Sequence, residues 1–159
     1  MTMKYVLSFN LNGLPVDTLV KATDTLLDVL REKLNVVSPK RGCENGDCGA
    51  CTVLVNGEPV RACLTIGLTV AGKNVQTVEG LQQDGKLHPL QRAFHEHYAA
   101  QCGFCTPGML IAAKALLDKN PKPTREQIVE GISGNLCRCG TYVEVVEAIQ
   151  AVAAGKYKE

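Results

Sequence analysis

The sequence predicts an α+β chain, a β-rich N-terminal half followed by a helical C-terminal half. Three observations predict it. Residues 4–10 and 52–55 alternate or run apolar as strands do, each ending at an Asn-Gly pair, Asn12-Gly13 and Asn56-Gly57, the strongest short hairpin signal. From His88 onward the apolar residues instead recur at helical spacing. Between the two patterns lies a polar, glycine-flanked stretch, residues 80–86.

The elements follow in order. Residues 4–10 form a strand that turns at Asn12-Gly13 and returns over residues 16–20. A helix comes next: Thr25 with Asp28 makes a near-capping box, and Leu26, Leu27, Leu30 and Leu34 form an apolar stripe up to Asn35. After a cysteine-bearing loop, residues 52–55 and 60–63 make a second hairpin that carries Cys63 back toward that loop, and residues 74–78 add a short strand. Two hairpins around one helix, with a ligand loop after it, is what a ferredoxin-like β-grasp domain requires, here residues 1–79. Residues 80–159 form the second domain. Leu90, Phe94 and Tyr98 share a face of its first helix, and residues 109–117 form another, stopped by Asn120-Pro121. Thr124 with Gln127 and Thr141 with Glu144 cap a third and a fourth, so the expected architecture is a small four-helix bundle.

Eight cysteines carry the chemistry, in two sets of four: Cys43, Cys48, Cys51 and Cys63, then Cys102, Cys105, Cys137 and Cys139. The first three are spaced C-x4-C-x2-C, the plant-type spacing for a [2Fe-2S] cluster, with Cys63 as the fourth thiolate. Four thiolates must converge on one small anionic core with backbone N–H groups turned inward, which calls for a tight loop. Gly42, Gly46 and Gly49 supply residues without a Cβ where the chain must turn or approach closely. In the second half the cysteines sit at helix starts, Cys102 and Cys105 before the second helix with Pro107 in its first turn, and Cys137 and Cys139 before the fourth. Two such turns at one end of the bundle make a second four-thiolate site, where helix N-termini favour thiolates.

Other uses of cysteine fit less well. The N-terminus lacks the charged, apolar and small-residue regions of a secretory signal, so the expected compartment is the reducing cytoplasm, where structural disulfides are rare. Zinc is the more serious competitor, but C-x4-C-x2-C is not a habitual zinc spacing and Cys137-x-Cys139 is tighter than the usual pair. A net charge of +1, three Phe, four Tyr and no Trp provide neither a basic face nor a stacking platform for nucleic acid. No apolar stretch approaches the ~18–20 residues of a membrane span. Lys40 and Arg41 read as a solvated turn before a docking site for an acidic partner. His88, His95 and His97 form no nucleophile, base and orienting group, so the chain reads as an electron wire and not as a catalyst.

The segments Gly42-Cys43 through Cys51-Thr52, Gln101-Cys102-Gly103-Phe104-Cys105-Thr106-Pro107-Gly108-Met109 and Gly134-Asn135-Leu136-Cys137-Arg138-Cys139 closely resemble the iron–sulfur subunit of the molybdenum hydroxylases. That family includes xanthine dehydrogenase, aldehyde oxidoreductase, and the small subunits of carbon monoxide dehydrogenase and 4-hydroxybenzoyl-CoA reductase. The resemblance spans nearly the whole chain and implies two [2Fe-2S] clusters, one per domain, in a non-catalytic electron-transfer subunit. It further implies a large partner subunit holding molybdopterin in its dinucleotide form, with Gln101 and Cys139 near the pterin. A medium subunit would hold FAD near the first cluster, in a dimer of heterotrimers. One departure is that many members continue Cys-Thr-Gly-Tyr where this chain has Cys139-Gly140-Thr141-Tyr142. Two other functions stay open at this point, a free-standing ferredoxin carrier and a zinc-binding interaction module. Against the first stand the second cysteine set and a net charge near zero, since a free carrier gains from a charge that steers encounters.

Overall fold

The computed structural model describes residues 3–157; Met1, Thr2, Lys158 and Glu159, the outer ends of the two expected domains, lie outside the described residues. Strand β1 (Lys4–Leu11) pairs antiparallel with β2 (Leu14–Lys21), in register from Leu11 opposite Leu14 to Lys4 opposite Lys21. The turn between them puts Asn12 at φ 53° and Gly13 at φ 85°, the double left-handed geometry that matches strand twist. Alternation then sorts the faces: Leu7, Phe9 and Leu11 are buried, while the cross-strand partners Val6 and Leu19 face outward.

The helix starts where the capping box predicts. The Thr25 hydroxyl accepts from the Asp28 N–H and the Asp28 carboxylate accepts from the Thr25 N–H at 2.8 Å, opening α1 (Leu26–Asp28). The helix then widens into a π turn, Val29–Lys33, in which the Leu34 N–H reaches back to Val29 O at 3.1 Å, and Asn35 at φ 54° ends it. The leucine stripe holds, with Leu26, Leu27 and Leu30 fully buried. Strands β3 (Thr52–Val55) and β4 (Glu58–Arg61) form the second hairpin, so Cys63 lies just beyond its strand instead of inside it. Strand β5 (Asn74–Gln76) is shorter than expected because residues Val78–Leu81 close into a 3-10 turn. It runs parallel to β1 and antiparallel to β3, completing a sheet in the order β2-β1-β5-β3-β4.

Four helices follow: α2 (Pro89–Glu96), α3 (Thr106–Lys119), α4 (Arg125–Ile132) and α5 (Tyr142–Ala153). Helix α2 packs on α5 and α3, α4 on α3 and α5, and α3 also lies against β3. That double duty is why α3 is apolar nearly all round, burying Met109 through Ala113 and Ala115. Burial of Ile111, Ile128, Val145 and Ile149 stabilises this half by roughly 1.5–3 kcal/mol per side chain. One core gathers around the sheet and α1; the other gathers among the helices and draws Leu54 in from β3. Tyr98 does not join it: it follows α2 at φ 54° and is 83% exposed, while Leu90 and Phe94 are buried as expected. Among the described residues no helix is long and apolar enough to cross a membrane.

Candidate metal centres

Cys43, Cys48 and Cys51 lie on an irregular loop between the π turn and β3, and Cys63 closes the group from the turn after β4. The loop coils because Glu44, Gly46 and Gly49 take φ of 59°, 89° and 69°. Gly42 serves by proximity instead: a Cβ there would stand 2.8 Å from Cys48 Sγ. The Cys48 N–H donates to Cys43 Sγ at 3.4 Å. Arg41 holds the loop to α1 through Asp28 at 2.8 Å and also pairs with Glu44, so it is a structural cation and not a free docking group. Burial raises the Asp28 carboxyl, but its hydrogen bonds from Arg41 and Thr25 outweigh this and lower it below the ordinary aspartate value.

In the second set Cys102 is exposed on the α2–α3 loop and Cys105 is buried at the start of α3, whereas Cys137 and Cys139 occupy the turn between α4 and α5. Gly103 and Gly140, at φ 79° and 83°, shape the two turns. The expected Thr141 cap does not form, because at φ −73°, ψ 30° its hydroxyl faces Cys137 Sγ at 3.3 Å. The Cys137 N–H donates to the Tyr142 hydroxyl at 2.7 Å.

All eight cysteines are free, and six of the sulfurs stand in adjacent pairs: Cys43 with Cys48, Cys51 with Cys63, Cys105 with Cys137. Backbone N–H groups of Cys48 and Asn45 lower the Cys43 thiol to about 7, while burial raises Cys48. Burial, and the Cys51 sulfur beside it, push Cys63 up to about 11. Burial also acts on Cys137, but the Thr141 hydroxyl and N–H outweigh it and hold that thiol at about 7. Cys105 is pushed up to about 12 by burial and by its neighbour. In the Cys43–Cys48 and Cys105–Cys137 pairs one thiol is thus eased toward the thiolate form that a metal ligand takes. The paired sulfurs suit a two-iron core, each iron taking two thiolates. The only buried side-chain polar atom lacking a partner among the described residues is Thr106 Oγ1, next to Cys105, where a sulfur acceptor would satisfy it.

The two loops meet directly. The Leu136 N–H donates to Cys48 O at 2.9 Å, so a cysteine of the first set and the neighbour of a cysteine of the second share one hydrogen bond. Buried Asn135 donates to Gly49 O at 2.9 Å, and the Arg61 guanidinium donates to Gly134 O at 2.6 Å, Thr52 Oγ1 at 3.0 Å and Gly46 O at 3.3 Å. Contact is tight enough that a Cβ on Gly49 would stand 2.3 Å from Gly134 O, and one on Gly108 2.5 Å from Gly49 O. Sequence reasoning missed Arg61, Asn135 and Gly108 as parts of this junction, since partners so far apart in the chain, such as Arg61 and Gly134 or Asn135 and Gly49, leave no local signal. An open cavity of about 620 Å³ touches both sets, bordered by Cys48, Cys102, Cys105, Cys137, Phe104 and Tyr142. Gln101 and Cys102 are exposed at the outer rim of the second set, with Cys139 half-buried.

A mixed sheet-and-helix chain with two sets of four free cysteines, three sulfur pairs among them, has the make-up of an iron–sulfur protein. Residues 9–82 match the family model for a 2Fe-2S iron-sulfur cluster binding domain, and residues 77–150 match that for a [2Fe-2S] binding domain. The chain is 46% identical over 147 residues to the nicotinate dehydrogenase small FeS subunit of Eubacterium barkeri, covering 92% of this chain and 94% of that one. It is 50% identical over 138 residues to the nicotine 6-hydroxylase small subunit of Paenarthrobacter nicotinovorans, covering 87% and 83%. Among solved structures it is similar to quinoline 2-oxidoreductase from Pseudomonas putida 86, with a TM-score of 0.92, 44% identity, and coverage of 96% of this chain and 94% of that one. The aldehyde oxidoreductase of Desulfovibrio desulfuricans ATCC 27774 matches with a TM-score of 0.91 and 45% identity, over 95% of this chain but 17% of the other, much longer, chain. The chain belongs to the small iron–sulfur subunits of the molybdenum hydroxylases.

Proposed function

We propose that this chain carries electrons, one at a time, through two [2Fe-2S] clusters between a molybdopterin site on a large subunit and a flavin or other acceptor. Cys43, Cys48, Cys51 and Cys63 hold the first cluster, and Cys102, Cys105, Cys137 and Cys139 the second. The clusters supply reversible one-electron storage; the chain supplies position, insulation and hydrogen bonds to sulfur. The observation that carries the reading is the Leu136 N–H to Cys48 O bond of 2.9 Å, which joins the ligand loops by a path of covalent bonds and one hydrogen bond.

Exposed Gln101 and half-buried Cys139 face the pterin of the large subunit in this reading, and the exposed apolar side chains Phe104, Leu136 and Val143 near them supply the docking surface. A medium subunit brings FAD to the first cluster, the whole forms a dimer of heterotrimers in the cytoplasm, and substrate chemistry resides on the large subunit. Residues 1–79 act as a β-grasp unit and 80–159 as a four-helix-bundle unit, consistent with their separate cores. The free-standing carrier is disfavoured, since the relatives matched along their length are named as subunits. In the assembled complex, Cys48→Ser should abolish the EPR signal of the first cluster only and Cys137→Ser that of the second only, and either should block substrate-driven reduction of the acceptor. Loss of both signals from each change, or turnover by the chain alone, would refute the two-site wire.

A further inference from the structure

The Thr-x-x-acid/amide start occurs three times in this chain, and it is used as a cap only twice. Thr25 and Thr124 both accept from the N–H three residues on, and Asp28 and Gln127 both return the bond. Thr141 is placed identically before α5, is 3% exposed, and makes no such bond. Its hydroxyl is committed to Cys137 Sγ at 3.3 Å, inside the protein. Once that sulfur is a metal thiolate it has no proton to give, so the hydroxyl must be the donor.

We propose that Thr141 is a positioning residue that sets the reduction potential of the second cluster, making it the better electron acceptor by donating a hydrogen bond to the Cys137 sulfur. The inference rests on the ligand assignment above and goes beyond it. Uptake of one electron by a [2Fe-2S] centre would convert one ferric iron to ferrous and make the whole centre one unit more negative, part of that charge being shared by its sulfur ligands. A donor aimed at a ligand sulfur stabilises that added charge more than the oxidised state, so the potential rises. The bond acts strongly here because the sulfur is buried, Cys137 being 8% exposed. The Thr141 and Gly140 N–H groups also reach this sulfur, and the hydroxyl adds a side-chain donor to them that can be removed without touching the backbone. Helix α5 does not need the hydroxyl, since its first turn is made without a side-chain cap.

The test is an EPR-monitored redox titration with dithionite of the full chain in three forms, the natural protein, Thr141→Val and Thr141→Ser, each first assayed for iron and sulfide. Valine keeps the shape and removes the donor. The second cluster of Thr141→Val should become harder to reduce by about tenfold in equilibrium constant, about 59 mV for a one-electron couple. Thr141→Ser should titrate like the natural protein, and the first cluster should be unmoved in both. An unchanged potential in an intact Thr141→Val protein, or a Thr141→Ser protein shifted as far as the valine form, would overturn the proposal. Should Thr141→Val fail to hold its second cluster, Thr141→Ala is titrated in its place; loss of the cluster there too would overturn the proposal in favour of a hydroxyl needed for assembly. Absence of a second cluster from the natural protein would instead refute the ligand assignment on which the inference rests.

Discussion

Gly42 and Gly49 stand in the same loop for different physical reasons. Gly42 has ordinary backbone angles, and only the 2.8 Å between its absent Cβ and Cys48 Sγ requires glycine. Gly49 combines φ 69° with a carbonyl, Gly134 O, 2.3 Å from where a Cβ would sit. Gly42→Ala should therefore lower occupancy of the first cluster and leave the second. Gly49→Ala should strain both loops, costing about 1–3 kcal/mol for the backbone alone and lowering the melting temperature of the whole chain. Iron content per cluster and thermal melting separate the two outcomes; equal effects would contradict the distinction. Gln101 is exposed beside Cys102 and does not end α2, which stops at Glu96. If Gln101 binds the pterin as proposed, Gln101→Ala should keep both clusters but slow their reduction by substrate in the assembled complex, because one lost hydrogen bond is worth roughly 0.5–1.5 kcal/mol. Rapid-reaction reduction at the natural rate with full cofactor occupancy would make Gln101 a surface amide.

Among the elements, those legible in the sequence were the ones specified locally. Both Asn-Gly hairpins, the Thr25 and Thr124 boxes and the leucine stripe form because each depends on neighbours within a few residues. The eight cysteines were legible for the same reason, as spacing and ligand type. What escaped depends on distant partners: the π turn after Asp28, the early end of β5, the exposed Tyr98, and Thr141, whose hydroxyl the sulfur claims. His88 belongs to no catalytic constellation in the sequence, yet it caps α2. Its Nδ1 accepts from the Leu90 N–H at 3.1 Å, and Gln91 returns a bond to its backbone. Only a neutral imidazole can accept there. Burial, and then the nearby Lys114, lower its pKa below 6.5, with Asp118 partly opposing. The unfolded chain therefore binds this proton more readily, so the contribution is complete above about pH 6.5 and is lost as the pH falls below it. Melting temperatures at pH 7.5 and 5.5 should fall more for the natural protein than for His88→Asn, which caps without titrating. Equal falls would show that His88 contributes nothing to the pH dependence.

Across the whole molecule, the sheet half and the helical half meet at their cysteine loops, and the meeting is polar and specific. Arg61 reaches from β4 to the first loop and to Gly134, Asn135 returns to Gly49 and Thr52, and Leu136 bonds to Cys48. Such a junction fixes two redox centres at a constant separation, which a wire requires. No local pattern announced it, because it arises only when the chain has folded. As a wire, the molecule needs both thiol sets filled by two-iron clusters. Iron and acid-labile sulfide analysis of anaerobically purified protein, with EPR spin counting after dithionite reduction, tests it most directly. Two irons per cluster predict about four irons and four sulfides per chain and two distinguishable signals of equal spin; two irons with a single signal, or stoichiometric zinc, would contradict it.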